Sequence, residues 1–283
     1  MFNEIKSINI DNSKYPSLLK KIDSPPENIN YKGSFDNDLF SNCLAVVGTR
    51  RITSYGKRVV KKIVSEVASA GVTIVSGFMF GVDYEAHKIA LESGGRTVAV
   101  MPCGVDVIHP NYQEELYKNI IINKGCILSE FPNGHPPLRW TYSKRNRIVA
   151  GLSKVVLVIE GSRNSGTLIT ARYAKKYNRK LTAIPSPITS DKSFAGNSLI
   201  KNGAELIMSS KDILSFFDKD IKKNNFKDDK EEGYLIEELK REPMTIEEIR
   251  LKTGISVRKL NISLSQMEVD GRIKEDSGKY FLC

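Results

Sequence analysis

Five consecutive aliphatic residues, Val155-Val156-Leu157-Val158-Ile159, leave no position for a polar face. A run of that kind reads as a parallel strand covered on both sides by helices, which commits the chain to an α/β architecture. What flanks the run is chemically distinct from it. Lys144, Arg145 and Arg147 gather positive charge around Asn146 at what reads as a helix start, with Trp140 and Tyr142 just before them. After the run, Gly161-Ser162-Arg163-Asn164-Ser165-Gly166-Thr167 is small and polar and opens a helix through Leu168-Ile169-Thr170-Ala171. A turn leaving a strand and opening a helix is expected to point free backbone N–H groups and the positive end of the helix dipole outward, as an anion site does.

The rest of the chain repeats the strand, turn, helix pattern. Strands are expected at 44–47, 73–75, 97–101, 126–128, 181–184 and 205–207, with helices over 83–93, 113–123 and 197–202 and another placing Val59, Val60, Ile63, Val64 and Val67 on one face. Such alternation implies right-handed crossovers, a mainly parallel sheet and ligands at the carboxyl ends of the strands. Residues 1–43, with turn chemistry at Tyr15-Pro16 and Pro25-Pro26, read as an N-terminal extension that packs on a main domain of residues 44–220. Residues 221–233 are rich in Lys, Asn, Asp and Glu and read as a linker. Beyond them, three helices and a hairpin over 234–283, with a capping box at Thr245 and Glu248 and a break at Gly254, outline a winged helix.

Charge divides unevenly between these parts. The net charge is +10, but residues 226–283 hold 11 Lys/Arg and 13 Asp/Glu, a net of −2, which leaves +12 on residues 1–225. The excess favours a polyanion partner for the large domain, a solvated basic surface being the alternative. Cys43, Cys103, Cys126 and Cys283 are scattered, as expected of reduced thiols in a cytoplasmic protein. His87, His109 and His135 have no metal-ligand spacing, and no apolar run suggests a membrane span.

Gly48-Thr49-Arg50 follows the strand at 44–47, where glycine admits a phosphate to the backbone and Arg50 offers a bidentate fork. The segment has neither the GxGxxG spacing nor a Walker A lysine. Ser76-Gly77-Phe78-Met79-Phe80-Gly81-Val82-Asp83 closes the next strand; Phe78 or Phe80 could stack on a base or pack in the core. Asp83 and His87 are spaced to share a helix face as a hydrogen-bonded pair, and Glu160 stands where a general base could.

Taken in order, these turns resemble the DprA/Smf family of DNA-processing proteins. The resemblance rests on Tyr15-Pro16, Val47-Gly48-Thr49-Arg50, Ser54-Tyr55-Gly56, Ser76-Gly77 with Gly81-Val82-Asp83 and Ala86-His87, Leu128-Ser129-Glu130, Arg145-Asn146-Arg147 through Ser153, Ser165-Gly166-Thr167 through Ala171, and Asn197 to Ala204. It implies an extended Rossmann-like parallel sheet with a small C-terminal winged-helix domain, in a homodimer that needs no cofactor. It further implies that the protein binds single-stranded DNA and loads the RecA recombinase in natural transformation. The DNA pocket would include Gly48, Arg50, Ser54, Lys144, Arg145, Asn146, Arg147, Ser165, Gly166 and Thr167. Met79, Phe80, Tyr142-Ser143 and Ser186 depart from the family pattern. Two other readings remain open: a nucleotide-binding or nucleoside phosphate-hydrolysing enzyme, although the turn after Thr167 lacks a carboxylate, and a transcription regulator acting through the winged helix.

Overall fold

The computed structural model describes residues 4–217, 235–269 and 271–282. The expected linker therefore lies outside the described residues. The chain divides into two compact units, residues 1–222 and 223–283.

The first unit is built on a nine-stranded sheet in the order β1-β2-β6-β5-β4-β3-β7-β8-β9. The strands are β1 (Lys6–Asn9), β2 (Asn28–Gly33), β3 (Cys43–Val47), β4 (Thr73–Ser76), β5 (Thr97–Val100), β6 (Cys126–Ser129), β7 (Val155–Val158), β8 (Lys180–Ala183) and β9 (Glu205–Leu206). From β6 to β9 every pairing is parallel, while β1 and β2 are added antiparallel at the β6 edge. The N-terminal stretch thus supplies two strands of the sheet as well as packing on it. Tyr15, Leu19 and Ile22 are buried against Ile148, Val149 and Leu152 in a shared core cluster.

Every residue of β3 to β7 is buried, because helices cover both faces. Successive strand side chains point to opposite faces. Ala45 and Val47 of β3 enter the cluster beneath α1 (Ser17–Lys20), α5 (Arg139–Leu152) and α6 (Thr167–Lys176). Leu44 and Val46 enter the cluster formed with α2 (Ser54–Ser69), α3 (Val82–Glu92) and α8 (Ser210–Leu214). A third cluster joins Ala99, Met101 and Ile127 to Leu116, Tyr117 and Ile120 of α4 (Glu114–Ile122). Helix α7 (Phe194–Lys201) precedes β9.

The chain winds from β3 outward to β6 and then returns to lay β7 against the other side of β3. That reversal opens a crevice beyond the carboxyl ends of β3 and β7, the usual ligand position in doubly wound sheets.

The second unit has helices α9 (residues 235–241), α10 (Ile246–Thr253) and α11 (Val257–Val269), then the hairpin β10 (Ile273–Asp276) and β11 (Lys279–Leu282). Leu235, Leu239, Ile249, Leu260, Leu264, Met267 and Ile273 form its core. The capping box is present: Glu248 N–H donates to Thr245 Oγ1 at 3.3 Å and the Glu248 carboxylate accepts Thr245 N–H at 2.8 Å. Gly254 ends α10 in the left-handed region at φ 71°, which favours glycine.

Candidate nucleic-acid interface

A cavity of about 490 Å³ fills the crevice at the reversal point. Val47, Gly48, Thr49, Arg50 and Arg51 enter it from the end of β3, Gly77 and Met79 from the end of β4, and Ser162, Ser165, Gly166 and Thr167 from the turn after β7. Helix α5 contributes Arg139, Tyr142, Ser143, Arg145, Asn146 and Val149. Four guanidinium groups, those of Arg50, Arg51, Arg139 and Arg145, therefore meet one carboxylate, Asp83. The balance suits an anion.

Several expectations change at this point. The basic cluster is not at a helix start: α5 begins at Arg139, so Lys144 to Arg147 occupy its middle, where 3.6-residue periodicity sends neighbours in different directions. Arg145 and Asn146 turn into the cavity, whereas Lys144 and Arg147 do not line it. Both of the latter meet Glu130: Arg147 Nη2 in a buried ion pair and Lys144 Nζ at 3.3 Å. Ser54 is exposed on the first turn of α2, outside the lining. Arg139 was not among the expected residues. Its spacing from Tyr142, Asn146 and Val149 is that of one helix face, a signal that becomes readable only once the helix start is placed at Arg139.

The turn after β7 also differs from expectation, because the amides opening α6 are engaged. Thr167 N–H donates to Ser165 Oγ at 3.2 Å, Leu168 N–H to Ser165 O at 3.1 Å and Ile169 N–H to Gly166 O at 3.0 Å. Positive potential in the cavity comes chiefly from arginine side chains, with Ser165 and Thr167 placing hydroxyls 2.8 Å apart at the wall.

Arg145 forms the floor. Only 4% exposed, it donates from Nη1 to the carbonyl of Val100 and faces Asp83 across Gly77. Gly77 must lack a side chain here: a Cβ would stand 2.2 Å from Arg145 Nη1 and 2.3 Å from Asp83 Oδ2. Burial pushes the Asp83 carboxyl above its ordinary range, with Arg145 opposing, and burial pulls the Arg145 guanidinium below its own, with Asp83 opposing. At the mouth, exposed Arg50 lies 4.9 Å from the Tyr142 ring centroid and 5.9 Å from that of Phe80, within cation–π range. Tyr142 Oη is 2.9 Å from His109 Nε2, and burial together with Arg50 lowers the His109 pKa. Phe80 is 38% exposed, while Phe78 is fully buried in the core.

His87 does not pair with Asp83. Its Nδ1 is 2.6 Å from Thr97 Oγ1 and its Nε2 2.6 Å from Gly77 O, in a fully buried position. Nor does Glu160 face the cavity as a base. Its carboxylate accepts the Thr53 N–H at 3.0 Å and the Thr53 hydroxyl, while Thr53 Oγ1 caps α2 by accepting Gly56 N–H at 3.1 Å. Gly56 lets that carboxylate approach, since a Cβ there would stand 2.5 Å from Glu160 Oε2. Among the described residues, no cluster of His, Cys, Asp and Glu could hold a metal ion, and no helix is long and apolar enough to cross a membrane. Cys43, Cys103 and Cys126 are buried free thiols, and burial pushes the first two up to about 12.

A doubly wound sheet with an arginine-lined anion cavity at its reversal point, followed by a winged helix, defines the class of protein. The family model for DNA recombination-mediator protein A matches residues 6–218, and that for the DprA winged helix domain matches residues 222–279. The chain belongs to this DprA/Smf family. Protein Smf of Synechocystis is 32% identical over 95% of this chain and 77% of its own length. The X-ray structure of DNA processing protein A from Streptococcus pneumoniae superposes with a TM-score of 0.71 at 36% identity, covering 77% of this chain and 76% of that one. A structure of DNA processing protein A from Helicobacter pylori, described in terms of its single-stranded DNA binding mode, superposes with a TM-score of 0.66 at 29% identity, covering 75% of this chain and 94% of that one.

Proposed function

We propose that this chain binds single-stranded DNA in the cavity between β3 and β7. It would act there as a cytoplasmic recombination mediator that, as a homodimer, delivers incoming strands to the RecA recombinase in natural transformation. The observation that carries the DNA assignment is the convergence of Arg50, Arg51, Arg139 and Arg145 on one cavity with a single carboxylate. Arginines grip phosphates through paired N–H donors, and the Tyr142 and Phe80 rings beside Arg50 suit unstacked bases. Family membership and the single-stranded DNA binding of the Helicobacter pylori relative support the same reading. Binding is favoured over hydrolysis because Asp83 faces Arg145 and Glu160 is engaged by Thr53.

The test is fluorescence anisotropy of a labelled single strand and its duplex across a salt series, with wild type and an Arg50→Ala/Arg139→Ala variant. The single strand should bind more tightly. The variant should bind at least about tenfold more weakly, and its log–log salt slope should fall by roughly 1.4, or about 0.7 for each lost phosphate contact. Equal affinity for duplex, or binding of mononucleotide without oligonucleotide, would overturn the proposal. Loading is read separately, as faster RecA filament formation on a protein-coated strand.

A further inference from the structure

We propose that Trp140 is a base-stacking platform for the strand where it leaves the arginine cavity, an inference that rests on the single-stranded DNA reading above. Helix α5 presents Arg139, Tyr142, Asn146 and Val149 to the cavity. Trp140 and Lys144, one helical turn apart, occupy the adjoining strip of the same helix. A strand gripped by Arg139 therefore meets Trp140 next.

Three features suit this ring to a nucleobase. The residue is 53% exposed, so part of its indole surface is open to a base. Its orientation is fixed from one side: Phe131 and His135 stack on each other at 4.7 Å, and Trp140 meets both nearly perpendicularly, at 5.7 Å and 77° and at 5.9 Å and 89°. A cation accompanies it. Lys144 Nζ lies 5.8 Å from the Trp140 centroid and 5.3 Å from that of Phe131, and Glu130 tethers it at 3.3 Å while its side chain stays 46% exposed. A half-exposed ring braced by two perpendicular aromatic neighbours, with a tethered ammonium 5.8 Å from its centroid, offers a stacking surface and a phosphate contact together, the pairing that holds single strands without sequence preference. It also gives Lys144 a place on the DNA path although it is absent from the cavity wall.

Trp140 is the only tryptophan in the chain, so its emission reports this position alone. The full chain is titrated with unlabelled oligothymidylate and, separately, with a thymidine dinucleotide short enough to occupy the cavity, while anisotropy of a labelled oligonucleotide follows binding independently. The long strand should quench the emission in step with the anisotropy, and the dinucleotide should quench it far less. In Trp140→Ala the affinity gained on lengthening the strand should shrink about tenfold, the scale of one base–aromatic stack, and Trp140→Phe should restore most of it. Anisotropy that reports binding while Trp140 emission is unchanged, or a length dependence that survives Trp140→Ala, overturns this inference and leaves the cavity reading intact. Quenching that follows protein concentration without DNA means that a second copy covers the ring, and overturns it as well. Loss of the anisotropy signal in wild type removes both readings.

Discussion

Lowering the pH from 7 to 4 should withdraw about 3 kcal/mol of stability from the sheet-bearing unit through one side chain, His87. The ring is fully buried between Thr97 Oγ1 and Gly77 O, and burial, aided by the charge of Arg145, lowers its pKa from 6.5 to about 4. Gly77 O can only accept, so the neutral ring donates to it from Nε2–H, and Nδ1 faces the Thr97 hydroxyl, whose one proton is shared with Ile74 O 2.8 Å away. Well above pH 6.5 neither the folded nor the unfolded chain protonates this residue, so its contribution is complete. Below 6.5 the unfolded chain takes up a proton that the folded chain refuses, and stability falls by about 1.4 kcal/mol per pH unit until the buried ring itself titrates near 4. The sum over that window is about 3 kcal/mol, of which about 1.4 kcal/mol is gone by pH 5.5. Asp83 works in the opposite sense: its raised carboxyl favours the folded state as pH falls. Urea unfolding of wild type against His87→Gln removes that background. The variant should be less stable at pH 7, and the gap should close by about 3 kcal/mol on going to pH 4. A gap that stays constant across this range would show that His87 is not held neutral and would refute the reasoning.

Glu130→Ala should cost about 3–5 kcal/mol by leaving buried Arg147 unpaired, read as a lower urea midpoint, and the Glu130→Leu/Arg147→Met double variant should recover most of the loss. Gly77→Ala should push Arg145 and Asp83 apart, destabilise the protein by about 1–3 kcal/mol and weaken single-strand binding at least as much as Arg50→Ala in the anisotropy assay. Thr53→Ala should cost about 0.5–2 kcal/mol by uncapping α2, and Glu160→Ala should add little to it, because both residues serve one helix terminus.

The strands were legible because burial on both faces forces nearly uninterrupted aliphatic runs, as at Leu44–Val47 and Val155–Val158. The winged-helix caps were equally local, written in Thr245, Glu248 and Gly254. β1 and β2 were not legible: short edge strands such as Lys6–Asn9, with a single buried residue, carry no such run. The start of α5 was missed because Trp140 and Tyr142 read as a flank to the basic cluster, when they are part of the helix that carries it.

The sequence by itself determined the α/β class, the C-terminal winged helix and the turns that end at the cavity, because apolar periodicity, caps and glycines act over a few residues. Only the tertiary structure decided which basic groups face the cavity. Lys144 to Arg147 are contiguous in the chain, yet helical rotation sends Arg145 and Asn146 inward and brings Lys144 and Arg147 to Glu130, 14 and 17 residues away. Likewise Glu160 is bound by Thr53, 107 residues distant, and His87 by Gly77 and Thr97, each ten residues away at the neighbouring strands β4 and β5. Charge and hydrogen-bonding capacity are properties of a residue, but a partner is a property of the packing, and here packing separates the cation that lines the cavity from those held at Glu130.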